Sequence, residues 1–413
     1  ANGMTDEGAY KALFFENDGY TILAEKKFKV MQAAPDTPKV VSTLPEADSK
    51  NADPEIQFKA VIRDGATTLN PESVKLTLDN KDVKAEIAAG DDGLNTVSFV
   101  GEGLFDAGST HRFRLDFSDN GDPTTAESVV VEFDVANYRQ IEMPEPLYFE
   151  NFDGVEEFEL PEGWEVVNLS QELNIELEPD DFTSAYYEGW VNVSVNRWSK
   201  SPYWGEKSTR PAPAVFVNGA RQTLEGNALV ADSASRNGQF ITFLYTGDYD
   251  FSEHKDVHLG FYSHYAQNQD SSGAVEYSTD EGETWLPVVY MIDRGDIVKD
   301  DDGNVDAITT MENPHTDIAV GYDPDTFEEV GGFYGAYIGA EIGEELAAYI
   351  SGRIDDNQTE SKRYELFRLP EADGEKTVRF RIATSGTWSW YWGIDNFGLY
   401  SIAPSSMPEV VEA

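Results

Sequence analysis

The 413-residue chain contains no cysteine. That absence removes disulfides, cysteine nucleophiles and thiolate zinc sites together. Histidine is scarce, with five residues, and neither H-E-x-x-H nor G-x-S-x-G occurs, so hydrolytic zinc and serine-elbow mechanisms lose their usual signatures. Basic charge is also in short supply: 30 Lys and Arg face 77 Asp and Glu, for a formal net charge of −47. Charge of that sign repels phosphate backbones and anionic lipid, which makes nucleic acid and membrane surfaces poor partners. No stretch approaches the ~20 apolar residues of a membrane span. The opening "ANGMTDEGAY" lacks the basic start and apolar run of a signal peptide. The expectation is a mature or excised piece of a longer exported protein, working outside the cell or on its surface.

What is present is strand pattern. "VKLTLDN", "HRFRLDFSDNG", "SVVVEFDV", "QFITFLYTG", "VHLGFYSHY" and "TVRFRIATSG" alternate apolar and polar residues over short runs. Helical spacing occurs at 340–354, "AEIGEELAAYISGRI", where Ile342, Leu346, Tyr349 and Ile350 share a face. The chain is therefore expected to be all-β.

An internal echo divides it. "AYKALFFENDGYTILAEKKFKV" (9–30) superposes on "HRFRLDFSDNGDPTTAESVVVEFDV" (111–135), with Leu13 on Leu115, Phe15 on Phe117 and Gly19 on Gly121. Each copy reads as the last hairpin of an immunoglobulin-like sandwich. Residues 38–137 hold a full strand complement and are expected to be one such module. Residues 1–32 hold only its tail and read as the end of an upstream repeat. "AAPDTP" and "ANYRQIEMPEP" carry the prolines of linkers. Residues 147–402 are too long for another such module, and 403–413 read as a tail or linker.

"EYSTDEGETW" (276–285) fits the S-x-D-x-G-x-T-W pattern of an Asp-box, familiar from sialidases. Its residues explain one another as turn chemistry. Asp280 accepts backbone N–H groups a few residues on, Gly282 takes a positive φ, and Trp285 folds back over the hairpin. With one box and no blade-length repeat, a propeller is not expected.

Within 147–402, "LYFENFDGV…LPEGWEVVN", "DFSEHKDVHLGFYSHY" and "WYWGIDNFGLYSI" resemble the jelly-roll modules of the cleaved-adhesin, or choice-of-anchor, type of bacterial surface proteins, a plan shared by MAM-like jelly rolls. About 291–360 reads as an insertion. The resemblance implies that the first and last strands lie side by side, which brings Glu150, Asp153 and Asp395 together. It further implies Ca²⁺ there, a cation suited to oxygen-only ligands in irregular geometry.

Other candidates weigh less. His258 and His264, six residues apart on one strand, sit ~20 Å from each other and read as ordinary strand residues. "DDDGNVD" (300–306) departs from the EF-hand pattern, with Gly303 fourth and Met311 at position 12, and reads as a polar hairpin tip. Glycoside hydrolysis needs only two carboxylates, and among so many acids none stands out. Aromatics carry the binding expectation. In "SGTWSWYWGIDN", Trp392 is expected in the core, while Trp388 and Trp390 are sugar-stacking candidates, joined by Trp198, Tyr203 and Trp204 of "WSKSPYWGEKSTRPAP". The expected function is noncatalytic adhesion or glycan binding, with an extracellular glycan or a surface protein as partner. The alternatives are a structural spacer or assembly subunit, and a polysaccharide-active jelly-roll enzyme.

Overall fold

A computed structural model describes residues 8–15, 22–30, 36–168, 189–198, 214–233, 240–268, 271–312, 338–357, 360–386 and 390–404. The chain is all-β and divides between Asn137 and Tyr138 into two compact units. None of its described helices is long and apolar enough to cross a membrane.

In the first unit, β1 (Gly8–Phe15) and β2 (Ile22–Val30) form an antiparallel hairpin that pairs with no other described strand. Eight strands follow: β3 (Lys39–Leu44), β4 (Glu55–Arg63), β5 (Leu69–Leu78), β6 (Lys81–Val83), β7 (Glu86–Ala89), β8 (Leu94–Leu104), β9 (Thr110–Asp119) and β10 (Ala126–Asp134). They build two four-stranded sheets, ordered β3-β4-β8-β7 and β10-β9-β5-β6. Period-two alternation sends Phe58, Ala60 and Ile62 of β4 and Phe113, Leu115 and Phe117 of β9 into one shared core. Phe113 stacks on Phe133 with ring centroids 5.8 Å apart. The echoed segments are both hairpins, and Phe15 pairs with Ile22 as Phe117 pairs with Glu127.

The second unit holds β11 (Tyr138–Ile141), β12 (Tyr148–Glu150), β13 (Glu165–Asn168), β14 (Val191–Ser194), β15 (Ala214–Val217), β16 (Ala220–Arg221), β17 (Asn227–Asp232) and β18 (Phe240–Tyr245). It continues through β19 (Val257–Tyr265), β20 (Ser272–Ser278), β21 (Leu286–Asp293), β22 (Ile350–Arg353), β23 (Lys362–Arg368), β24 (Arg379–Gly386) and β25 (Tyr391–Ser401). One sheet runs β14-β17-β25-β19-β23, with β12 also on β25, and the other runs β13-β18-β24-β20-β21-β22. They pack face to face over Trp164, Trp190, Phe261, Phe380, Trp392 and Phe397, in a sandwich of jelly-roll type. Each sheet is covered on its outer face as well. The small sheet β11-β15-β16 buries Tyr262 and Tyr391 on one side, and Ala307, Met311 and Leu346 cover Phe243 and Tyr290 on the other. This double covering explains why every residue of β19 is buried although its sequence alternates.

Two expectations are corrected. Residues 138–146 are not simply a linker, because β11 pairs in parallel with β15 and belongs to the second unit. The stretch 340–354 is not an α-helix: a 3-10 turn spans Glu344–Tyr349, and the chain then extends as the edge strand β22. Gly343 before the turn and Gly352 in the strand disfavour a continuous helix, and pairing with β21 wins the segment. The tip at 300–306 is a polar turn, with Asp300 accepting the amides of Asp302 and Asn304.

Candidate functional site

β25 carries the first candidate. Along one edge it pairs with β17 through Ile394 and with β12 from Phe397, so two strands abut on it end to end. Asp395 and Asn396 lie at that break, where Asn396 adopts φ 54°. Broken ladders leave amides to be satisfied by side chains. Asp395 Oδ2 accepts the Glu225 amide at 3.1 Å and its Oδ1 accepts the Asn396 amide at 2.7 Å. Asp153 reaches the same turn and accepts the Asn227 amide at 2.8 Å. Gly226 between them has φ 56°, and a side chain there would collide with the Asp153 carboxylate.

Asp395 is 2% exposed. Burial first, then the charges of Asp153 and Glu225, push its carboxyl up to about 8 against the relief of its two amide bonds. Of the three residues expected to meet, Asp153 and Asp395 do so. Glu150 pairs across from Phe397 as expected of first and last strands, but its Oε1 turns back to the Phe152 amide at 2.6 Å. Glu225 takes the third acidic position, and the sequence held no cue to it because it precedes β17 in an unpatterned turn. Among the described residues, no three metal-ligating side chains already stand in coordinating geometry.

The Asp-box is a turn. Ser278 Oγ donates to Asp280 Oδ1 at 2.7 Å and accepts the Gly282 amide at 2.8 Å, while Asp280 accepts the Thr284 amide at 2.9 Å. Bonds from Thr284 hold the Asp280 carboxyl down to about 2. Trp285 carries the Arg381 guanidinium on its ring at 4.6 Å. Arg381 in turn holds Glu276, whose other oxygen accepts Tyr290 Oη at 2.9 Å and the Gly339 amide at 2.8 Å. Tyr290 and Glu276 are 0% and 1% exposed, so the tyrosine and the carboxylate are closed to solvent behind Arg381.

The aromatic candidates separate. Trp198 is not a surface residue. It ends the short helix α1 (Val195–Trp198) with 0% exposure, its indole donates to the buried Asp232 at 2.9 Å, and its ring meets Tyr391 edge-on at 4.8 Å. An irregular stretch rich in proline hid this, because its first residue belongs to the preceding strand and helix. Trp392 lies in the core as expected, and Tyr391 occupies the opposite face. Tyr203, Trp204 and Trp388 lie outside the described residues.

Trp390 is half-buried at one end of the sandwich, beside Ser233 after β17, Ala266 after β19, Ser271 before β20 and Ser385 in β24. Its indole donates to Asp356 at 2.7 Å. The Asp356 amide is held by the Gln267 carbonyl at 3.0 Å, and Gln267 Nε2 donates to the Ser271 carbonyl at 2.9 Å. Asn268, Ser233 and the Ser272–Ser385 hydroxyl pair complete a polar ring. The crevice beside Trp390 measures about 10 Å³, room for one water, so a larger ligand has to lie across the rim. Asp356, Gln267 and Asn268 escaped the sequence reading because short loops join them only in three dimensions.

No family model and no curated protein matches the chain. Among solved structures, TmCBM61 in complex with beta-1,4-galactotriose is 10% identical, covers 62% of this chain and 99% of its own, and has a TM-score of 0.29. The K1 cleaved adhesin domain of Lys-gingipain from Porphyromonas gingivalis W83 is 14% identical over 62% of this chain and 98% of its own, with a TM-score of 0.26. PcoC, a copper resistance protein from Escherichia coli, is 22% identical over 24% of this chain and 98% of its own, with a TM-score of 0.17. At these scores the likenesses are partial, and none decides what this chain binds.

Proposed function

We propose that the chain is a noncatalytic, extracellular binding region of a bacterial surface or secreted protein, and that the loop end of its second unit binds a glycan. The observation that carries this reading is Trp390, half-buried and fixed by Asp356 within a ring of amide and hydroxyl groups. A sugar ring offers an apolar face to an indole and hydroxyls to side chains of that kind. Retardation of the chain in gels containing neutral and charged polysaccharides tests the reading. Wild-type retardation that Trp390→Ala removes supports it, and equal retardation of both proteins overturns it.

Calcium belongs to the same proposal as a structural ion. Asp153, Asp395 and Glu225 would hold it, with backbone carbonyls completing an irregular oxygen shell. What supports the fit is a 2%-exposed carboxylate raised to about 8 by burial and two acidic neighbours. The ion would supply the missing positive charge there.

A second reading, assembly with another protein, is favoured by the first unit. Val41, Leu44, Ile87 and Val100 on its β3-β4-β8-β7 sheet are exposed, Val100 by 81%. Leu44 and Val100 face away from the core of that sheet, and apolar exposure on one sheet face is a feature of contact surfaces.

A further inference from the structure

Ser109, His111 and Asp79 of the first unit form a chain of hydrogen bonds: Ser109 Oγ lies 2.7 Å from His111 Nε2, and His111 Nδ1 lies 2.8 Å from Asp79 Oδ2. Each member is fixed by a different piece of backbone. His111 is the second residue of β9, whose pairing with β5 matches Leu78 to Phe113 and so sets Asp79 opposite Arg112. Asp79 and Asn80 take φ 49° and 65° in the tight turn from β5 to β6. There the Asp79 amide donates to the Arg112 carbonyl at 2.9 Å, and Asp79 Oδ1 accepts the Arg112 amide at 3.0 Å. Phe105 stacks on the imidazole with ring centroids 4.1 Å apart. Ser109 ends the turn before β9, in which Gly108 takes φ 66° and the Ser109 amide donates to the Asp106 carbonyl at 3.1 Å.

A carboxylate only accepts, so Nδ1 carries its hydrogen toward Asp79, and Nε2 of the neutral ring presents a lone pair to Ser109. The Asp106 carbonyl is a second acceptor for the same hydroxyl, and Oγ is fixed between the two. Nucleophile, base and orienting acid in this order recur on unrelated folds and are recognised by geometry, not by sequence position. The group is also within reach of solvent: the side chains of His111 and Asp79 are 19% and 44% exposed, and Ser109 is half-buried. Two features set it apart from a hydrolase. The serine's own amide, which stabilises the oxyanion in the familiar triad enzymes, is committed to Asp106. Asp79 touches water, where its field on an imidazolium is weakened.

We propose that Ser109 is an acyl acceptor, modified once by an uncharged activated ester, with His111 as its base and Asp79 as a positioning residue. Oγ bonds to the acyl carbon as its proton passes to Nε2. The bond to the leaving oxygen breaks with its electron pair, and the imidazolium returns the proton to that oxygen. The product is an O-acyl serine, an alkyl ester with no activated leaving group, and without the serine amide at the oxyanion its hydrolysis is slow. The surroundings select a neutral donor. Asp79 and Asp106 are exposed, and Glu132 and Asp134 pair across from Arg112 and Thr110. The cations beside them are matched, Lys50 by Asp134 and Arg112 by Asn80 and Glu132, while Lys81 and Asp82 of β6 carry opposite charges. Acyl phosphates and other anionic donors are repelled from such a surface. The event is stoichiometric and leaves the glycan reading of the second unit untouched.

The test incubates the full chain with p-nitrophenyl acetate and follows both nitrophenolate release and the acetylated peptides. Ser109 should be acetylated on the order of a hundredfold faster than Ser42, an exposed serine of β3 outside this chain of bonds. His111→Gln should remove most of that advantage, and imidazole added to His111→Ala should return part of it. Asp79→Asn keeps an acceptor for the Arg112 amide and should slow the reaction roughly tenfold at an unchanged Tm. Equal rates at Ser109 and Ser42, or a Ser109 rate that His111→Gln does not change, overturn the proposal and leave the bonds as fastenings of the turn. Nitrophenolate release that continues over many equivalents in wild type and stops in Ser109→Ala overturns the single event, and the noncatalytic reading of the chain with it.

Discussion

Asp153 and Asp395, 242 positions apart, grip the two ends of one turn: Asp153 holds the Asn227 amide at 2.8 Å and Asp395 the Glu225 amide at 3.1 Å. The turn opens β17, and the two carboxylates come from the loop after β12 and from β25. Three segments are thereby tied at the one place where two strands abut on β25, and the price is negative charge gathered out of water.

That charge makes stability depend on pH. The Asp395 carboxyl is raised to about 8 in the fold, against about 3.9 in an unfolded chain. Between those values the folded state keeps a proton that the unfolded state releases, so stability falls as pH rises, by up to about 1.4 kcal/mol per unit. In chelator, the Tm of the second unit should therefore drop between pH 5 and pH 8, and Asp395→Asn should flatten the slope. Calcium at millimolar concentration should raise the Tm at pH 8 by several degrees, roughly 1.5 kcal/mol for a site of about 10⁻⁴ M. A Tm at pH 8 indifferent to calcium and chelator, measured at low magnesium, would remove the ion from this site.

At the loop end, Trp390→Ala should weaken polysaccharide binding by roughly 2 kcal/mol, about thirtyfold in Kd. Asp356→Ala should weaken it less, because the indole loses its hydrogen bond but keeps its area. Both variants should melt near wild type, since Asp356 is exposed and Trp390 only half-buried. Isothermal titration with the polymer found to bind distinguishes them, and a Trp390→Ala protein of unchanged affinity would move the ligand elsewhere.

The cores were legible because period two decides them. Phe58, Phe113 and Phe133 alternate with polar neighbours, and Trp392 and Ile394 keep the same two-residue spacing toward one core. The Asp-box was legible because every bond in it spans four residues or fewer. Glu225 and Asp356 were not, since each acts on a partner more than thirty positions away through a turn without pattern. Trp198 was misread for a related reason: the second covering layer buries residues that a simple sandwich would leave in water.

The Asp-box should act as a structural clamp. Trp285→Ala removes the platform under Arg381 and the contact with Tyr245 at 5.7 Å, and should cost roughly 3 kcal/mol. Asp280→Ala should lower the Tm less, because it loses exposed turn bonds only. Because the Asp280 carboxyl is held down to about 2, its contribution is present above about pH 4 and is lost as pH falls toward 2. Ligand binding that vanishes in Asp280→Ala at an unchanged Tm would give the box a role beyond the turn.

Glu276 should latch the segment around Gly339. Its Oε1 accepts the Gly339 amide at 2.8 Å and the Ala340 amide at 3.1 Å, while Oε2 holds Arg381. Gly339 is pressed so closely on the Trp285 ring that any side chain there collides with it. Glu276→Ala would leave Arg381 buried without its carboxylate, at a cost of about 3–5 kcal/mol. A less disruptive change, Glu276→Gln, keeps an acceptor for the two amides and removes the charge facing Arg381. Hydrogen exchange then separates the two functions of the residue. Glu276→Gln should keep protection at Gly339 and Ala340 and lower the global Tm, whereas Glu276→Ala should lose both. If Glu276→Ala leaves the two amides as slow to exchange as in wild type, the latch lies in the Trp285 contact and not in the carboxylate.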